Sequence, residues 1–134
     1  MTITARQVCR YLAMLLYLGL GAQGAWSAYG QLGDAETLGQ QAQTAFQFGF
    51  AAFGIAAGAL LAAGRRVPAA IEWGWTITLA LAGAFGAVAW GETSIPIGVV
   101  GGISTALIAL AIVWLGRRGR APERVVDAEA RESS

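Results

Sequence analysis

Apolar residues fill most of the chain in four long runs, and the polar residues gather almost wholly between them. The runs cover residues 11–29, 45–63, 69–90 and 95–115. Each approaches the roughly 20 residues that a helix needs to cross about 30 Å of hydrocarbon. No stretch alternates with the period of two that a membrane barrel requires, and lipid offers no partner to an open backbone, so the expected elements are helices. The pattern predicts an all-α fold, a four-transmembrane-helix antiparallel bundle over residues 1–116.

Glycine and proline mark the connections. Gly64-Arg65-Arg66-Val67-Pro68 separates the second and third runs, with the glycine placed to end one helix and the proline to begin the next. Gly91-Glu92-Thr93-Ser94 separates the third and fourth, and Pro96 falls in the first turn that follows. Connections this short set consecutive helices side by side. The first connection, residues 27–44, is longer, and Asp34 is expected to cap a helix that continues into the second run. From Arg117 onward the composition turns to mixed charge with little apolar bulk, which predicts a disordered cytoplasmic tail over 117–134.

Charge then gives orientation. All nine basic residues are Arg: Arg6 and Arg10 before the first run, Arg65 and Arg66 in the second connection, and five more after the fourth. The first and third connections carry Asp34, Glu36 and Glu92 instead. The positive-inside rule therefore predicts cytoplasmic N- and C-termini in a multi-pass protein of a bacterial inner membrane. Trp26, Tyr29 and Trp90 would mark the outer interface, and Tyr11, Trp73, Trp75 and Trp114 the inner one. A competing reading takes Arg6, Arg10, the apolar run and Ala22-Gln23-Gly24 as a cleaved secretory signal. The run continues to Tyr29, long enough for a full span, and the retained helix is the expectation adopted.

Composition narrows the chemistry. Of 134 residues, 56% are hydrophobic and 13% charged, about half the usual charged fraction. The 28 Ala and 19 Gly favour close helix approach in lipid. The chain has no His, Lys or Asn and one cysteine, Cys9, so neither an internal disulfide nor a Cys/His metal centre can be assembled. No catalytic residue, cofactor or metal site is expected, and the Arg clusters read as lipid-facing rather than as a nucleic-acid surface.

Three groups of residues stand out. Gly54 with Gly58, and Gly98 with Gly102, form GxxxG spacings that suit close packing inside the bundle or a dimer face. Gln40, Gln43 and Gln47 share a stripe of the second helix, and depth places Gln47 near Gln23 of the first, where a hydrogen bond or a polar vestibule could form. Glu72 lies in the first turn of the third helix, where it meets the positive end of the dipole and can reach Arg65 or Arg66. It reads as an interfacial anchor before a proton carrier.

The layout of four spans with a longer first extracytoplasmic connection is similar to that of DoxX-like small bacterial membrane proteins. The likeness is one of layout, and no site residue carries over from it. A small four-span multidrug exporter would place a Glu within its first helix, and this chain has none there. The expected role is a non-enzymatic accessory or structural subunit that packs against other membrane helices, in contact with the bilayer and with a membrane-protein partner or further copies of itself. The alternative is a small oligomeric transporter or channel using Glu72 and the glutamine-rich vestibule.

Overall fold

The computed structural model describes residues 4–90 and 95–119. Within them the chain forms four helices and no strand: α1 (Ala5–Gln31), α2 (Leu38–Ala62), α3 (Ala69–Trp90) and α4 (Ile95–Arg118). Two of these, α2 and α4, are long and apolar enough to cross a membrane by length and composition. The expectations for Glu92, for the side chain of Trp90 and for the tail beyond Gly119 fall outside the described residues.

The helix starts are set by capping boxes. Thr4 Oγ1 accepts from the Gln7 N–H at 3.3 Å while the Thr4 N–H donates to Gln7 Oε1 at 3.2 Å, so α1 begins well ahead of the apolar run. The same exchange between Thr37 and Gln40 starts α2. This corrects the expectation for Asp34. That residue sits in a turn, its N–H donating to the Gln31 carbonyl at 3.1 Å, and the connection shrinks to residues 32–37. Only the Thr37 hydroxyl has the matching amide three residues on.

The end of α2 follows the glycine expectation. Gly64 adopts φ +77°, a left-handed conformation that costs a residue without Cβ little. The Arg65 N–H then reaches the Leu60 carbonyl at 2.8 Å and the Gly64 N–H the Leu61 carbonyl at 3.1 Å, a Schellman arrangement. Pro68 follows, and its carbonyl accepts from the Glu72 N–H at 3.1 Å as the first bond of α3.

Each helix packs on its neighbour in sequence, and α1 meets α4 to close the ring. The start of α1, the end of α2, the start of α3 and the end of α4 therefore share one end, here termed the arginine end. Arg10 of α1 donates through Nε and Nη2 to the Leu61 carbonyl at 3.0 and 2.6 Å, capping the last turn of α2 with a cation.

At the centre Trp75 and Tyr17 touch across the bundle, ring centroids 4.9 Å apart and edge to face, and Phe50 closes on Trp75 at 6.1 Å. Trp75 is fully buried. The interfacial role expected of it is thus corrected, because Glu72, Trp75, Thr76, Leu79 and Ala82 form one helical stripe that faces inward. Trp73, on the other side of α3, is 61% exposed. Trp75 fits because α2 presents Gly54 beneath it. A Cβ there would lie 2.6 Å from Trp75 Cζ3 and 2.8 Å from the Tyr17 carbonyl oxygen.

Gly54→Leu is accordingly expected to lower the unfolding free energy in mild detergent by at least about 1–3 kcal/mol, the usual cost of overpacking. Gly19→Leu, where a Cβ meets nothing within 4 Å, should leave the melting temperature unchanged. Equal melting temperatures for both variants would contradict the packing at Gly54.

Candidate functional site

The best-formed polar constellation lies at the arginine end between α3 and α4. Glu72 is in the first turn of α3, placed there by Pro68, and only 5% of it is exposed. Arg117 is in the last turn of α4, and the antiparallel packing of these helices brings the two to the same level. Arg117 Nε donates to Glu72 Oε2 and Arg117 Nη2 to Glu72 Oε1, each at 3.1 Å. This fork satisfies both carboxylate oxygens with charge-assisted bonds, the condition under which a buried carboxylate is tolerable.

Sequence spacing points Glu72 toward Arg65 or Arg66 as an anchor and gives no sign of Arg117. The missing signal was present in the stripe itself, since a residue three before Trp75 and four before Thr76 shares their face. Once that face turned inward, Glu72 turned with it and met the last turn of α4.

The pair closes one end of a lateral groove of about 220 Å³ between α3 and α4. Thr76, Leu110 and Val113 line its depth, and the half-exposed indoles of Trp73 and Trp114 flank it. Arg118 sits over the Trp114 ring, 5.2 Å from its centroid. Thr76 spends its hydroxyl on the Glu72 backbone carbonyl at 2.9 Å.

The glutamines are arranged differently from expectation. Gln40 Nε2 donates to the Ala89 carbonyl at 3.1 Å, and the amide of buried Gln43 lies against Gly86, so the stripe faces α3 rather than α1. Gln23 is exposed, and Gln47 Oε1 is buried with no hydrogen-bond partner among the described residues. The expected Gln23–Gln47 bond is therefore not formed. The orientation of α2 is set by seating Gly54 under Trp75, and that choice carries the glutamine stripe to α3. A recess of about 270 Å³ does open at this end, lined by Leu32, Gln41, Thr44 and Phe48, apart from both expected residues.

The glycine pairs lie at helix contacts. Gly58 faces the Leu18 side chain of α1, while Gly98 and Gly102 face Val88 and Ala84 of α3, where a Cβ would come within 2.5 and 2.9 Å. No group of three or more His, Cys, Asp or Glu among the described residues could hold a metal ion. Cys9 is half-buried and alone.

Comparison of the chain with protein-family models, with curated proteins and with solved structures returns no match.

The chemistry available at the fork is that of a clasp: two helix ends joined by a planar, bidentate ion pair. Arg117→Ala removes both bonds and is expected to cost about 1.5–3 kcal/mol, as hydrogen bonds to charged groups do. Arg117→Lys keeps the charge without the fork and should recover only part of it. Thermal melting in mild detergent would then order wild type above Arg117→Lys above Arg117→Ala, and indistinguishable curves would contradict the clasp.

Proposed function

We propose that the chain is a four-span protein of a bacterial inner membrane, with both termini cytoplasmic, and that it acts as a non-enzymatic accessory or structural subunit packed against other membrane helices. The observation that carries the role is the filled centre of the bundle. Tyr17, Phe50 and Trp75 occupy the position where a pore of its own would run. Glu72 is committed to Arg117, so a proton-carrying role would first require the fork to open.

The membrane reading draws on the outer surface. Only 33% of the most apolar window of α2 and 22% of that of α4 is buried, whereas the core helix of a water-soluble protein is mostly buried. Ile55, Ile77, Val100, Ile103 and Leu107 all point outward. Contiguous apolar surface of this extent calls for lipid or other helices. At 27 and 22 residues, α1 and α3 measure about 40 and 33 Å and match their neighbours in reach. The clustering of Arg6, Arg10, Arg65, Arg66, Arg117 and Arg118 at one end supports a cytoplasmic assignment for that end.

Purification from the native membrane in mild detergent, followed by mass spectrometry, tests the role. Larger membrane proteins recovered in stoichiometric amount are expected. A homo-oligomer alone, with no other protein, would instead favour the transporter reading.

A further inference from the structure

We propose that the groove between α3 and α4 binds one anionic phospholipid, with its phosphate on Arg117 and Arg118 and an acyl chain running along Leu110 and Val113. The inference rests on the membrane reading above. Four observations converge on it.

First, the groove is lateral and graded. Its charged end coincides with the ends of α3 and α4, and its depth is apolar apart from the Thr76 hydroxyl, which is already engaged within the helix. A phospholipid has this order of parts, and a free anion does not need the apolar half.

Second, Glu72 aims the guanidinium. Its two bonds take Nε and Nη2, leaving Nη1 with no protein hydrogen bond among the described residues, and the Arg117 side chain is 54% exposed. A guanidinium fixed by one carboxylate presents its remaining N–H groups in a set direction, which suits a phosphodiester oxygen.

Third, Trp73 and Trp114 stand half-exposed on either side, at the level where indoles favour the boundary between headgroups and hydrocarbon. Arg118 lies over Trp114, so a second cation is held beside the mouth of the groove.

Fourth, the charge balance selects an anion. Among the described residues Arg117 and Arg118 stand at the mouth against the single carboxylate of Glu72, which leaves a net positive charge there. A zwitterionic lipid gains less from that field than a lipid of net negative charge.

The test uses the full chain in mild nonionic detergent, titrated with phosphatidylglycerol or phosphatidylcholine, with retained lipid counted by native mass spectrometry. One phosphatidylglycerol should be held at clearly lower lipid concentration than phosphatidylcholine. Arg118→Gln, at an exposed site, should weaken that retention about fivefold, and Leu110→Trp, which fills the groove, should weaken retention of both lipids. The paired control Arg65→Gln and Arg66→Gln should stay within about twofold of the parent, because those residues neither line the groove nor lie over its Trp114, as Arg118 does.

Equal retention of the two lipids overturns the proposal. So does an equal loss in the Arg65 and Arg66 control, which would mean a general surface charge, or displacement of the lipid by inorganic phosphate alone, which would mean a headgroup site with no role for the groove. A chain that stays monodisperse without detergent would instead overturn the membrane reading itself.

Discussion

A carboxylate buried at the start of α3 can persist only with a cation fixed beside it, and Arg117 at the end of α4 is the cation supplied. That requirement places the first turn of α3 level with the last turn of α4. The Schellman turn at Gly64 and the Pro68 start hold α2 and α3 together at the same end, and Arg10 ties α1 to the Leu61 carbonyl near the end of α2. Four helix ends are thereby joined by the Glu72–Arg117 ion pair, the tight connection from Gly64 to Pro68 and the Arg10 cap on the Leu61 carbonyl. Arg10 and Arg117 thus serve structure as well as charge.

Packing at the centre depends on a second, steric constraint. Trp75 is too large for a four-helix interior unless a facing helix gives up a side chain, and Gly54 does so. Tyr17 then meets the indole from α1 and Phe50 meets it from α2. Seating Trp75 in this way fixes the rotation of α2, and the rotation of α2 decides where its glutamines face. The two constraints share α3, since Glu72 and Trp75 lie on one stripe. The polar clasp and the aromatic core are consequences of the same helical face.

Much of the architecture was legible because it is written in local patterns. Apolar runs gave four helices, and Gly64 and Pro68 marked the boundary between α2 and α3 where the backbone needs them. For the start of α2 the sequence offers both Asp34 and Thr37, and the Thr37-to-Gln40 capping box decides between them. Taken singly, Trp75 and Glu72 look interfacial, whereas their common spacing with Leu79 and Ala82 signals that they turn inward together. The partner of Glu72, and the choice of α3 over α1 by the glutamines, depend on how whole helices rotate against one another. No local pattern encodes that, so these contacts emerge only from the packed bundle.

In the proposed orientation the arginine-rich end of this bundle lies in the cytoplasm and the end bearing the glutamines across the membrane. Labelling of single cysteines in intact cells with a membrane-impermeant maleimide reports that orientation, in a background with Cys9 replaced by Ser. Gly33→Cys, exposed in the α1–α2 connection, is predicted to label at once, and Ala63→Cys, exposed at the end of α2, only after the cells are opened. Labelling of Ala63→Cys in intact cells, or protection of Gly33→Cys there, would rule out a cytoplasmic arginine end.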